Sequence, residues 1–588
     1  MRLSRLDFRA LKTRLSGRLE IYHRRLAAFQ ADGVLALLGL LTGLVSGVII
    51  VLFRYAVILI QQAYLPGMSA EAFESLGPWM RFGLPCMGGL LIGIVLWRLP
   101  ASARTVGVVH VLERLQYHQG HMPALNFLVQ FFGGALALAT GQSVGREGPS
   151  VHLGAAAASL MGRRLGIPDN SLRTLIACGA AAAIAASFNT PLAGVVFAME
   201  VVMAEYTIAG FVPVILAAVS ATAVSHAVFG ADTAFIVPHL GLGSKWELGY
   251  IALMGVMVGL SSAAFVRLVG RAATLAGSLH IVARMAACGG LVGVLGVLVP
   301  ETLGLGYDTV DLVLAGKLGF SLMFLIFVAK FCATGLCVAA RMPGGLIGPT
   351  MVLGSLAGGC FAVVVSGLPG YASSSGLYAM LGMAAMMAAM LRAPLAALLA
   401  LLELTGNPLI ILPGMMAVVS AALAANRVFG QDSIFVQMLR DAGLDLRHDP
   451  VAQSLRRVGV AAVMNRNIEQ AERHVDAPSA RELLVRGPQW VVVENAGKGA
   501  FLLRAADLAR YCASDGAVDE MIDLAAVPAE RLEARPVHLQ ATLLEAREIM
   551  NRETVEALYV QRPVAPMTYR VFGVLLRADL ESSYLFRT

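Results

Sequence analysis

The sequence predicts a polytopic α-helical membrane protein made of two repeated halves with discontinuous helices, followed by a pair of small soluble α/β modules. Composition, an internal duplication and a change of character near Arg440 predict it. The chain has 588 residues, of which 57% are hydrophobic and 14% charged, and its mean hydropathy is +0.72. That is the composition of an integral membrane protein. Apolar runs begin near Gly33 and continue to about Asn426, but their lengths are uneven and several are cut by Gly or Pro. Uniform spanning helices would give runs of roughly 20 residues. Short, broken segments in corresponding halves point to re-entrant helices around a midplane site.

The first segment, 1–32, is basic, with Arg2, Arg5, Arg9, Lys12, Arg14, Arg18, Arg24 and Arg25 ahead of an apolar run too long for a signal peptide. Such a bias puts the N-terminus in the cytoplasm. This arm accounts for much of the +7 net charge, so no nucleic-acid partner is expected. The seven cysteines are scattered without a C-x-x-C pair. They read as small buried hydrophobes, with no metal site and no cofactor expected.

The duplication is clearest in a decapeptide. Gly145-Arg-Glu-Gly-Pro-Ser-Val-His-Leu-Gly154 returns as Gly345-Leu-Ile-Gly-Pro-Thr-Met-Val-Leu-Gly354, sharing G-x-x-G-P-S/T-x-x-L-G. Pro149 and Pro349 suit the first turn of a helix, and the preceding glycines leave backbone N–H groups exposed. Two such helix starts meeting in a membrane would form an anion site. Only the first copy carries a carboxylate, Glu147, which can itself play the anion. Further on, Pro191-Leu-Ala leads to Glu200 and Pro394-Leu-Ala to Glu403, each acid nine residues past its proline. The membrane part, 33–444, therefore divides into halves of about 33–229 and 245–430. Sequence alone leaves open whether they are inverted.

Beyond about Arg440 the chain is charge-rich and has its own repeat. Trp490-Val-Val-Val-Glu494 with Phe501-Leu-Leu-Arg-Ala-Ala-Asp-Leu508 is echoed by Ala557-Leu-Tyr-Val-Gln561 with Val574-Leu-Leu-Arg-Ala-Asp-Leu580. Two α/β modules, 452–514 and 520–588, are expected on the cytoplasmic side.

These residues name a family by resemblance. Gly141-Gln-Ser-Val-Gly-Arg-Glu-Gly-Pro149 resembles the gating signature of the CLC chloride channels and chloride/proton antiporters. Gly344-Gly-Leu-Ile-Gly-Pro349 resembles their second anion-binding motif, and Asn189-Thr-Pro-Leu-Ala-Gly194 their middle helix. The tail is similar to the paired CBS domains of many members. The resemblance implies inverted-repeat halves and a multi-pass homodimer in the plasma membrane, the inner membrane if the source is bacterial. It also implies both termini in the cytoplasm, one anion pathway per subunit and transport rather than enzyme catalysis.

Carried over residue by residue, Glu147 matches the gating glutamate, flanked by Arg146 and Gly148, and the amides of Leu346 and Ile347 match central-site donors. Val106 and Gly107 fall in the inner serine-bearing motif, with Val106 at the serine; Phe435 falls at the pore tyrosine. Two hydroxyl donors are thus replaced. Val201 stands where proton-coupled members often keep an internal glutamate, which favours gated chloride conduction over proton-coupled exchange. A sensor without bulk flux is a more remote alternative. In the tail, ribose recognition in the family uses Ser or Thr three residues before Asp. Arg504 precedes Asp507 and Leu576 precedes Asp579 at that spacing, so adenine nucleotide is not an expected ligand.

An unpaired charge at membrane depth costs on the order of 3 kcal/mol on insertion scales, whereas a helix end returns roughly 0.3–2 kcal/mol. Glu147 is therefore read as a group that protonates or trades places with a permeant anion. Arg146 attracts anions or pairs with an acid. His152 reads as a polar residue on a pore-proximal helix. Glu200 and Glu403, at equivalent positions, read first as structural; Glu200 and Glu205 are also candidate proton acceptors. Gly141-Gln-Ser-Val-Gly145 matches a nucleophile elbow, but no strand precedes it.

Overall fold

The broken apolar runs fold into helices of alternating length. A computed structural model describes residues 32–65, 72–206, 208–231, 235, 241–444, 450–495, 499–513, 521–565 and 568–585. The basic segment 1–32 lies outside them except for its last residue. The first half comprises α1 (Asp32–Gln62), α2 (Pro78–Arg98), α3 (Val108–Tyr117), α4 (Ala124–Ala139), α5 (Glu147–Arg164), α6 (Asp169–Phe188), α7 (Pro191–Phe197) and α8 (Ile208–Phe229). The second comprises α9 (Glu247–Gly277), α10 (Ile281–Leu298), α11 (Tyr307–Leu314), α12 (Phe320–Ala339), α13 (Ile347–Val365), α14 (Ser375–Leu391), α15 (Pro394–Thr405) and α16 (Ile411–Leu423). Long and short helices recur in the same order, and α17 (Ile434–Asp441) follows the repeat.

Among the described residues, nine helices are long and apolar enough to cross a membrane. They are not equivalent. The most apolar stretch of α6 is 100% buried inside the protein and that of α13 is 83% buried, whereas those of α2 and α10 are 33% buried. Small residues explain the difference: α6 carries the run Ala180–Ala183, all 0% exposed, and α14 is buried along its length. These Ala- and Gly-rich helices approach their neighbours closely, as packing within a bilayer requires when hydrophobicity gives no preference for protein over lipid. The short helices α3 and α11 begin at glycines in left-handed conformation, Gly107 (φ +85°) and Gly306 (φ +79°).

The chain divides into two compact units: 35–163 with 173–446, and a second containing 164–172 and 447–588. The tail carries β1 (Ile468–Glu472), β2 (His474–Asp476), β3 (Trp490–Asn495), β4 (Gly499–Arg504), β5 (Met521–Asp523), β6 (Arg531–His538), β7 (Ala557–Ala565) and β8 (Thr568–Leu576). Its main sheet runs β1-β3-β4-β6-β7-β8. β1 and β3 are parallel and β4 returns antiparallel; β6, β7 and β8 repeat that pattern. The sequence repeat thus becomes two three-strand motifs, joined into one sheet where β4 pairs antiparallel with β6. Alternation along the strands serves two sides: Val491, Val493 and Leu503 enter one apolar cluster, and Val492 and Leu502 another.

Candidate functional site

The two decapeptides meet. Each is preceded by a turn with positive φ, at Gly141 (+76°) and Arg341 (+59°). The following segments run antiparallel, so that Gly145 N–H donates to Gly345 O at 2.7 Å and Gly345 N–H to Gly145 O at 2.8 Å. This reciprocal pair is what a two-fold between the halves would produce. It also explains the glycines, because a Cβ on Gly148 would sit 2.4 Å from Gly345 Cα, with backbone on both sides. The starts of α5 and α13 therefore face each other with their first-turn N–H groups free of intrahelical partners.

Glu147, the first residue of α5, is 0% exposed. Its Oε2 accepts the Gly348 N–H at 3.2 Å, and its Oε1 accepts the Tyr307 hydroxyl at 2.5 Å. Arg146 Nε lies 3.5 Å from Oε1, an ion pair rather than a hydrogen bond. The first half thus supplies the carboxylate, and the second half supplies the helix start and hydroxyl that receive it. A carboxylate at a helix N-terminus occupies the place an inorganic anion would take.

Cavities lie on either side of it in the chain. Arg146 lines one of about 170 Å³, together with Arg54, Gly304 and Leu305. Gly148 lines another of about 670 Å³, together with Val106, Gly107, Leu346 and Phe435. Arg104, Arg284 and Arg341 stand on the wall of the larger cavity with one acid, Glu113, giving it a positive field that favours anions. Most of the expected anion-site residues therefore come together. Ile347 does so only by its backbone position, for its side chain lines a small apolar void beside Phe188. The amide that reaches Glu147 belongs to Gly348, one residue beyond the expected pair.

The expected proton acceptors lie elsewhere. Glu200 accepts Leu395 N–H at 3.2 Å and Ala396 N–H at 2.9 Å, at the start of α15. Glu205 is buried after the π-turn Ala198–Met203, and its N–H donates to Met199 O at 3.1 Å. His152 has an unforeseen partner: its Nε2 is 2.8 Å from His110 Nδ1, and both rings are 0% exposed. Arg114 Nε–H donates to His110 Nε2 at 3.0 Å, which leaves the His110 proton on Nδ1, directed at His152. Ser143, the false nucleophile, bonds Thr334 at 3.0 Å.

Sequence reasoning missed Tyr307 and Lys330. Lys330 is 0% exposed on α12 and donates from Nζ to Thr302 O at 3.1 Å and Gly304 O at 2.8 Å. A signal existed, since Lys330 is the one charged residue in the apolar run 319–340, and an intramembrane charge is a functional candidate by default. Tyr307 carried a weaker one, following Gly306 as Val108 follows Gly107.

The sequence model of the voltage gated chloride channel family matches residues 88–426, which contain both decapeptides and Tyr307. The chain belongs to that family. It is 30% identical to the H(+)/Cl(-) exchange transporter ClcA of Vibrio cholerae over 420 residues, 68% of this chain and 88% of the relative. It is 31% identical to the voltage-gated ClC-type chloride channel ClcB of Salmonella typhimurium over 411 residues, 68% of this chain and 98% of that protein. Among solved structures, a slow cyanobacterial Cl-/H+ antiporter aligns with TM-score 0.62 at 22% identity, over 69% of this chain and 97% of that one. A eukaryotic CLC transporter aligns with TM-score 0.59 at 18% identity over 93% of this chain and 97% of that one. The second alignment extends well beyond the membrane unit. The channel-family fold, with an α/β unit after it, is thus common to these chains.

Proposed function

We propose that this protein carries chloride across a lipid bilayer by gated conduction, with Glu147 as the removable plug. One observation carries the reading: a wholly buried carboxylate, received by an amide and a hydroxyl of the opposite half, next to a cavity walled with arginines. Ionised, Glu147 satisfies those donors and excludes the anion. Protonated, it no longer competes as an anion, and chloride takes the donors in its place. The loss of part of its hydration shell is offset by N–H groups at the starts of α5 and α13 and by the basic wall. Family membership supports chloride as the ion, and relatives named as channel and as exchanger support both modes of transport.

The same reading includes a homodimer with one pathway per subunit, cytoplasmic termini, and a CBS-like pair in the tail acting structurally. The two acids at the ribose positions are already engaged: Asp507 pairs with Arg510 at 3.4 Å, and Asp579 accepts Leu576 N–H at 3.4 Å. The test is chloride efflux from proteoliposomes over a range of external pH. The wild type is expected to speed up as pH falls, and Glu147→Gln to run fast at every pH. A Glu147→Gln protein with unchanged pH dependence removes the glutamate from the gate.

A second reading, chloride/proton exchange, is favoured by the buried His110–His152 pair. It puts exchangeable protons on α5, the helix that Glu147 begins. Reversal potentials in opposed chloride and pH gradients separate the two. A potential displaced by the pH gradient means exchange; one set by chloride alone means conduction.

A further inference from the structure

The two ends of the pathway differ in side-chain chemistry. Where α3 and α17 begin, the larger cavity meets the side chains of Val106, Val144, Leu346 and Phe435, none of which can donate a hydrogen bond. At the Glu147 end stands a phenol. Tyr307 opens α11, the repeat counterpart of α3, after the same left-handed glycine turn. One backbone device therefore delivers an apolar side chain to one end and a hydroxyl to the other.

The phenol is firmly held. Its ring packs edge-on against Phe235, with centroids 5.1 Å apart, and the residue is 6% exposed. The turn before it is fixed by Lys330, whose Nζ takes the carbonyls of Thr302 and Gly304 and would lie 3.2 Å from a Cβ on Gly306. A buried ammonium is expensive to keep. Here its hydrogen bonds are spent on the three residues that set where Tyr307 stands.

Resting on the reading of Glu147 as plug, we propose that Tyr307 is an anion-coordinating residue, with Lys330 as its positioning residue. The hydroxyl donates to the Glu147 carboxylate while the pathway is plugged and to the permeant anion once Glu147 is protonated or withdrawn. A buried O–H that loses its acceptor is penalised until another arrives, and a hydrogen bond to an anion is stronger than one between neutral groups. Tyr307 thereby gives the outer station the hydroxyl that Val106 and Phe435 deny the inner one.

The test is calorimetric titration of chloride into purified full-length protein carrying Glu147→Gln, with and without Tyr307→Phe. The Phe variant keeps the ring against Phe235 and loses only the hydroxyl. About tenfold weaker chloride binding in the double variant is expected, consistent with the loss of one charge-assisted donor. Unchanged binding would mean that Tyr307 serves the carboxylate alone, and would overturn the proposal. Failure of the plug reading appears separately, as Glu147→Gln flux that keeps the wild-type pH profile, and removes both claims. For Lys330, Lys330→Met in the same background is expected to weaken chloride binding and Lys330→Arg to restore most of it. Wild-type affinity in Lys330→Met would end the positioning role.

Discussion

Glu200 and Glu403 cap each other's half of the molecule. Glu403, at the end of α15, accepts the N–H groups of Leu192 and Ala193 at the start of α7, both at 2.8 Å. Glu200, just past α7, does the same for Leu395 and Ala396 at the start of α15. Neither helix has a side-chain cap from its own N-cap residue. Each acid therefore satisfies two orphan donors at a helix start across the repeat boundary.

This exchange predicts a stability phenotype. Glu200→Ala and Glu403→Ala are each expected to destabilise the protein by about 1–2 kcal/mol, the range of lost helix caps, seen as a lower melting temperature in detergent. Because Glu200 was a candidate proton acceptor, its flux profile matters as well. The pH dependence of chloride flux should survive in Glu200→Gln; if it disappears, Glu200 handles protons in addition to capping.

The meeting of the two decapeptides predicts an intolerance. Gly148→Ala puts a methyl group 2.4 Å from Gly345 Cα, and Gly345→Ala puts one 2.5 Å from Gly148 N. Backbone is on both sides, so no side chain can yield. Both variants are expected to lose chloride flux, and Glu147 should become reactive to carbodiimide as the helix starts part. Gly249→Ala, where nothing lies within 4 Å, is the control and should behave as wild type. Normal flux in Gly148→Ala would mean the two turns need not touch.

How far the site was legible depends on how local its signals are. The decapeptides announce themselves because Gly, Pro and Glu147 act through their own turn of helix. The equivalence of Glu200 and Glu403 was also legible, but their exchange across the halves was not, since it depends on how α7 and α15 pack. Tyr307 lies 160 residues from Glu147, and nothing in its neighbourhood signals a carboxylate. Lys330 was visible as a charge in an apolar run, but its carbonyl partners appear only once the turn before α11 is folded against α12. In the tail, the repeat gave the strands, while the pairing of β4 with β6 that merges them into one sheet left no sequence mark.

One further acid lies near this network outside the spanning helices. Glu74, in the single turn Phe73–Ser75, hydrogen-bonds Asp308, the residue after Tyr307, with Glu301 nearby and Arg81 opposing them. Burial first, then the two neighbouring carboxylates, push its carboxyl up to about 7 from an ordinary 4.5, with Arg81 pulling the other way. Between those values the folded protein holds a proton that the unfolded chain has released, so folding is favoured by acid there. The contribution is complete below pH 4.5 and is lost as pH rises through about 7. The melting temperature in detergent should accordingly fall between about pH 5 and pH 8. Glu74→Gln, which cannot ionise, should flatten that fall. The same slope in wild type and Glu74→Gln would assign the pH sensitivity to another group. Because Asp308 adjoins Tyr307, flux in Glu74→Gln should also respond less to external pH in this range, while the response attributed to Glu147 remains.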